Sequence, residues 1–288
     1  MTFREVLVQI LHHDLGFGFY ISDGAPQKMF RILAKSPGVL CGTIFVPTIL
    51  EIVEKEFFLK PYSNRSEYPV RVRPRRQDGE KISSGYIVAE LYGNAEVLLK
   101  AERTLCNIIS RLSGIATVTN HEVEKIRQTS VLLLDTRKDI ALLRAMDKYA
   151  VRIGGGMNHR AGFYDGILIK DNDIEVYGGV RRAIDVRIKE SKFLTRIEIE
   201  VDSIEKLREV LTDGRTDAIL LDNMPPSLLK EAVMIIKGGA KPYRIEASGV
   251  SGFDLREVAE TGINAISISS LVSRGEGNPL DISMKAIQ

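Results

Sequence analysis

Between Val131 and Ser270 the chain passes six times through a short apolar stretch that ends abruptly in polar or charged side chains. Leu132-Leu133-Leu134 runs into Asp135-Thr136-Arg137-Lys138, Ile167-Leu168-Ile169 into Lys170-Asp171-Asn172, and Ile219-Leu220-Leu221 into Asp222-Asn223. Apolar runs this continuous predict strands buried on both faces, which is how a parallel sheet reads. The pattern places strands near 131–135, 166–170, 196–201, 218–222, 243–247 and 265–269, with helices over 140–150, 180–189, 203–211, 226–236 and 252–260. Such βα repetition fits an open doubly wound sheet or a barrel. Polar residues stand at the ends of nearly every strand, whereas an open sheet gathers its ligands at one switch point, and this favours a barrel. With six clear strands it falls short of the eight-stranded standard.

The first hundred residues read differently. Helical periodicity covers 3–12, strands are expected over 38–46 and 84–91, and a helix opened by proline in its first turn over 47–58. This is an α+β pattern. A long amphipathic stretch over 95–112 follows, ended by Ser113-Gly114, with a second helix over 121–127. The reading is therefore an N-terminal domain over 1–113 and a barrel domain over 114–274, with the tail 275–288 able to return to the first domain.

A chain of 288 residues, 44% of them hydrophobic, can bury a sizeable core. A net charge of +2 and a pI of 8.4 leave no global basic excess to neutralise phosphates, which argues against nucleic acid as the main partner. Arg71-Val72-Arg73-Pro74-Arg75-Arg76 is a local excess that a solvated hairpin or a charge- and proline-protected edge strand explains as well. Cys41 and Cys106 make no disulfide framework and lack metal-site spacing, so they read as small buried apolar residues in a reducing cytoplasm. No signal pattern or long apolar span is visible, and the chain is expected to be soluble, unprocessed and free of membrane.

The chemistry gathers at the barrel mouth. Arg103, Arg137, Lys138, His159, Arg160 and Lys170 supply positive charge, while Glu200 and Asp222 are negative. Any one of these could be an ordinary ion pair, but guanidinium forks and ammonium groups collected at strand ends point to a polyanionic substrate. Gly154-Gly155-Gly156 either brings backbone amides near a ligand or simply closes a helix. His159 could be an acid, a donor or a tether, and four histidines without a Cys/His cluster do not suggest zinc. Glu200 and Asp222 could bind sugar hydroxyls, hold Mg²⁺ or pair with a neighbouring cation. Ser248-Gly249 suits a phosphate or an ordinary βα turn. Lys170 at a strand end would also fit a Schiff-base aldolase, although that chemistry has no use for so many arginines.

Taken in order, several segments resemble a known family. They are Ala101-Glu102-Arg103-Thr104, Arg111-Leu112-Ser113-Gly114-Ile115-Ala116-Thr117, Asp135-Thr136-Arg137-Lys138, the stretch from Lys148 to Arg160, Ile169-Lys170-Asp171-Asn172, Glu198-Ile199-Glu200-Val201, Leu221-Asp222-Asn223 and Glu246-Ala247-Ser248-Gly249. Together they are similar to the quinolinate phosphoribosyltransferases, also called carboxylating nicotinate-nucleotide pyrophosphorylases, most clearly from Arg103 to Ser270. The resemblance implies an α/β chain of type II phosphoribosyltransferase form, an N-terminal α+β open sandwich followed by an incomplete α/β barrel. It also implies homodimers in which each sandwich covers the partner's barrel mouth, sometimes assembled into hexamers. The implied reaction joins quinolinate to 5-phosphoribosyl-1-pyrophosphate with Mg²⁺, giving nicotinate mononucleotide, pyrophosphate and CO₂ in NAD biosynthesis.

On that pattern Arg103 reaches into the neighbouring subunit's site, Arg137, Lys138, His159 and Arg160 surround the quinolinate carboxylates, and Thr136 is a further substrate-binding candidate. Lys170 serves the pyrophosphate side, Glu200 and Asp222 the ribose hydroxyls and the metal, and Ser248 and Gly249 a phosphate, with Ser269 a further substrate-binding candidate. Lys138, Lys170, Glu200 and Asp222 are the catalytic candidates, with Lys138 stabilising charge as CO₂ departs.

This chain departs from the family pattern at several places. Asp139 stands where Thr-Thr-Pro-Gly usually begins, Asp173 replaces a histidine after Lys-Asp-Asn, and Ser269 and Ser273 replace a glycine and a histidine. An early Gly-Asp-x-Thr pattern is absent around Gly18-Phe19-Tyr20-Ile21. Asp139 beside a polyanion site is unfavourable unless it faces a cation or solvent. Two alternatives remain at this stage, a related transferase that acts on an aromatic acid without decarboxylation and a degenerate relative that binds an anion without turnover.

Overall fold

The structure, a computed structural model, describes residues 2–16, 25–56 and 70–287. Along the chain the elements are α1 (Phe3–Leu15), β1 (Gln27–Ala34), β2 (Gly38–Val39), α2 (Val46–Glu56), β3 (Arg71–Pro74), β4 (Lys81–Ile82), β5 (Ile87–Asn94) and α3 (Ala95–Ile126). They continue with β6 (Leu132–Leu134), α4 (Arg144–Ile153), β7 (Ile167–Ile169), α5 (Asp171–Tyr177), α6 (Val180–Glu190), β8 (Ile197–Val201), α7 (Ile204–Asp213) and β9 (Ala218–Asp222). The last are α8 (Pro226–Lys237), β10 (Arg244–Ser248), α9 (Leu255–Ala259), β11 (Ala265–Ser267), α10 (Ser270–Gly277) and β12 (Ile282–Ile287). Two compact units divide them, one formed by Met1–Asn120, Asp139–Gly155 and Leu271–Gln288, the other by His121–Lys138 and Gly156–Ser270.

In the first unit an antiparallel sheet runs in the order β12-β1-β5-β3. The arginine run is its edge strand, and Arg75 and Arg31 both donate to the nearly buried Glu90 carboxylate, at 3.0 and 3.1 Å through their Nε atoms. The strand expected over 38–46 shrinks to β2. Gly42 turns the chain at φ 102°, and the Asp78 carboxylate accepts from the amides of Gly42 and Thr43 at 2.9 Å each, fixing a short 3-10 helix instead. Beyond α2, the expected helix residues Phe57 and Phe58 lie outside the described residues.

Ser113-Gly114 does not end a helix. The expected helices over 95–112 and 121–127 are one continuous α3, 32 residues long. Ser113 is fully buried and bonds the Cys41 backbone, donating to its carbonyl at 3.1 Å and accepting from its amide at 2.9 Å. Gly114 is there for close packing, since a Cβ would come within 2.4 Å of the Gly275 carbonyl and 2.7 Å of the Asn278 carbonyl. Both obstacles are backbone. Gly114→Ala should therefore lower stability by about 1–3 kcal/mol through overpacking, read as a lower urea midpoint with an unchanged m-value.

The second unit is a six-stranded, all-parallel sheet in the order β6-β11-β10-β9-β8-β7. Read in a circle this is chain order, with one ladder missing between β6 and β7, and it makes the barrel incomplete. A lone bridge from Leu134 to Met157 spans that seam. Inward and outward positions of the central strands are both apolar and buried, as at Ile219, Leu220 and Leu221, so the continuous runs in the sequence follow from burial on two faces. All six strands point their C-terminal ends to the same side, which collects the polar residues that end each run.

Candidate active site

A cavity of about 840 Å³ opens at these strand ends and is lined entirely by the second unit. Thr136, Arg137 and Lys138 enter it after β6, His159 and Arg160 from the segment that crosses the seam, and Lys170 after β7. Glu200 and Asp222 come from β8 and β9, Ser248 and Gly249 from the end of β10, and Ser269 from beyond β11. Arg103 does not line this cavity and is exposed on α3. Gly154, Gly155 and Gly156 do not line it either. They close α4, with Gly155 at φ 94°, which is the simpler of the two roles open to them.

The cavity is electrically polarised. At one end Arg137 has its Nε and Nη1 buried without a hydrogen-bond partner among the described residues. Arg160 donates from Nη1 to the Gly166 carbonyl at 3.0 Å, and its guanidinium is held below the usual arginine range by burial and by the charge of Arg137. Lys138 is exposed and, among the described residues, in no ion pair. Such a cluster of cations is a ready binding site for carboxylates.

His159 is placed by Asp135, whose carboxylate accepts from the His159 amide at 2.7 Å and from Asn158 Nδ2 at 2.8 Å. Its Nε2 lies 3.1 Å from Glu198 and 3.3 Å from Glu246. Burial alone would depress this imidazole, but hydrogen bonds and charge from the two glutamates push it up to about 10. The Arg160 amide also faces Nδ1 at 2.7 Å, a contact suited to a neutral ring. Two carboxylates at this range outweigh one amide dipole, and the ring is best read as an imidazolium tethered beneath the cationic end. The cluster His159, Glu198 and Glu246 also has the composition of a metal site. Nε2 already donates to these two carboxylates, and metal ligation there would require removing a proton that their charge holds. Glu198 could have been found in the sequence, because residues two apart on a strand share a face and Glu200 points into the cavity.

At the other end carboxylates balance the cations. Lys170 Nζ donates to Glu200 at 2.8 Å. Asp173 accepts from the Lys170 amide at 2.9 Å and from Arg187 Nε at 3.1 Å, while Arg187 Nη1 donates to Glu190 at 2.7 Å. The departure at Asp173 is thus matched by Arg187, a lining residue that sequence reasoning missed because it sits far along α6. Asp222 accepts from Asn223 Nδ2, and the Asn223 amide donates to the Ser248 carbonyl at 3.0 Å. Gly249, at φ 72°, leaves no room for a Cβ, which would meet Asn223 Oδ1 at 2.1 Å. Asp139 faces a cation. It belongs to the first unit, where Arg144 Nε donates to its two oxygens at 2.8 and 3.0 Å. Ser273 is exposed, and Gly18-Phe19-Tyr20-Ile21 lie outside the described residues.

The family model for the quinolinate phosphoribosyl transferase C-terminal domain matches residues 115–285, and that for the N-terminal domain matches residues 14–113. A probable carboxylating nicotinate-nucleotide pyrophosphorylase of Bacillus subtilis is 34% identical over 288 residues, covering 99% of this chain and 93% of the relative. The carboxylating nicotinate-nucleotide pyrophosphorylase of Mycobacterium leprae is 35% identical over 276 residues, with 93% and 92% covered. Among solved structures, the nicotinate-nucleotide pyrophosphorylase of Ehrlichia chaffeensis superposes with a TM-score of 0.83 at 31% identity, covering 100% of this chain and 99% of that one. NadC from Streptococcus pyogenes gives 0.82 at 30%, with 99% and 96% covered.

Proposed function

The chain belongs to the quinolinate phosphoribosyltransferase family, and we propose that it transfers the phosphoribosyl group of 5-phosphoribosyl-1-pyrophosphate to quinolinate with loss of CO₂. The product is nicotinate mononucleotide, an intermediate of NAD biosynthesis. The observation that carries this reading is the polarity of the cavity, with Arg137, Arg160 and Lys138 at one end and paired carboxylates and small hydroxyls at the other. Quinolinate brings two carboxylates, which Arg137 and Arg160 can each take as a fork. Held there, the pyridine nitrogen lies in line for the ribose carbon as pyrophosphate leaves, and positioning lowers the barrier without an enzyme nucleophile. The alkylated nitrogen then accepts the electron pair of the breaking carbon–carboxylate bond, CO₂ departs, and a proton takes its place. Lys138 offsets the charge that develops there.

Glu200 and Asp222 stand at adjacent strand ends and open on one cavity, and their oxygens are the hard donors that Mg²⁺ prefers. Mg²⁺ would neutralise phosphate charge and ease the departure of pyrophosphate; Lys170 would share Glu200 with it. The exposure of Arg103 on α3 leaves it available to a second copy and supports a homodimer in which it serves the partner's site. A cytoplasmic setting is supported by two free, buried cysteines, with burial pushing the Cys106 thiol up to about 11. No helix among the described residues is long and apolar enough to cross a membrane.

The test is to incubate the chain with quinolinate, cosubstrate and Mg²⁺ and to measure CO₂ and nicotinate mononucleotide together. Release in equal amounts is expected. Preferred use of nicotinate, or quinolinate binding without turnover, would overturn the proposal.

A further inference from the structure

Phe163 is 79% exposed, so burial does not explain an aromatic ring at this position. The Arg137 guanidinium carbon lies 4.1 Å from the centre of that ring and the Arg160 carbon 5.2 Å from it. The ring is presented by a turn with its own support. The Asp165 carboxylate accepts from the Ala161 amide at 2.7 Å and from the Gly162 amide at 3.0 Å, tying the residues on either side of Phe163. Two like charges are thus kept close together, one of them without a hydrogen-bond partner on Nε or Nη1 among the described residues, and the π face of Phe163 is a group that both share. A ring quadrupole attracts cations without accepting a hydrogen bond, so it can hold both guanidinium groups while leaving their N–H edges free.

Resting on the function proposed above, we propose that Phe163 is a positioning residue that sets Arg137 and Arg160 as a pre-aligned pair for the two carboxylates of the pyridine diacid. It touches neither reacting atom and acts through the arginines. Its loss should therefore weaken diacid binding and leave the chemical step intact.

The experiment compares the full chain with Phe163→Ala, Phe163→Leu and Phe163→Tyr in steady-state assays with both substrates. Phe163→Ala is expected to raise KM for quinolinate roughly tenfold, with kcat and KM for 5-phosphoribosyl-1-pyrophosphate changed less than about twofold. Phe163→Leu keeps the bulk but not the π face and should match the alanine variant, whereas Phe163→Tyr should restore the original KM. Leucine performing as well as phenylalanine, or kcat and both KM values moving together, would overturn the assignment. An unmodified chain that does not turn over quinolinate would instead overturn the function itself, so the two failures are told apart by the unmodified arm.

Discussion

Replacing Arg137 by lysine is expected to raise KM for quinolinate on the order of a hundredfold while KM for the phosphoribosyl donor stays near its original value. The reason lies in the two guanidinium nitrogens of Arg137 that are buried and without a hydrogen-bond partner among the described residues. A cation stripped of water and given no counterion is poorly stabilised until a carboxylate arrives, and then gains two parallel charge-assisted bonds. Lysine keeps the charge but offers a point donor on a flexible stem, so it cannot span both oxygens. It also loses the planar contact with Phe163. Steady-state kinetics with each substrate varied in turn checks this, and an unchanged KM for quinolinate would remove Arg137 from the binding site.

Arg111→Ala carries the largest expected loss of stability. Arg111 Nη2 donates to both oxygens of Asp147 at 2.9 Å, its Nε adds a bond at 3.2 Å, and Glu276 contacts the same guanidinium. The Asp147 side chain is 1% exposed. Deleting the arginine strands that carboxylate, at a cost of about 3–5 kcal/mol near neutral pH. Burial raises the Asp147 carboxyl from 3.8 to about 6, against the opposing pull of Arg111. A carboxyl that binds its proton more tightly in the folded state favours folding progressively as pH falls through 6 toward 3.8. Without Arg111 the proton is held more tightly still, so the deficit of the variant should be smaller at pH 5 than at pH 7. Urea unfolding at the two pH values measures it; a deficit that grows on acidification would contradict this account.

The barrel strands were legible where burial on two faces makes a run apolar throughout, as in Ile219-Leu220-Leu221, whereas β8 alternates isoleucine with Glu198 and Glu200. The first unit hid more. β1 mixes lysine and arginine with apolar residues because one face is wet, and β12 is short and pairs only with a strand some 250 positions away, so neither announced itself. Ser113-Gly114 carried a stop signal that packing overrode, because the small residues admit neighbouring backbone. Among site residues, those ending apolar runs could be read directly. Arg187, Glu246 and Phe163 could not, since their roles depend on which side chains the fold brings opposite them.

The unpaired edge between β6 and β7 has a consequence for how this cavity can change. His159, Arg160 and Phe163 ride on a stretch that no ladder fixes in register; the bridge from Leu134 to Met157 and the Asp135 carboxylate tie its start to β6. Length and sequence can therefore vary within that stretch while six neighbouring strands keep their alignment. Selection on ligand preference is freed from selection on the scaffold, and the tolerance for insertions ends at the residue that clasps Asp135.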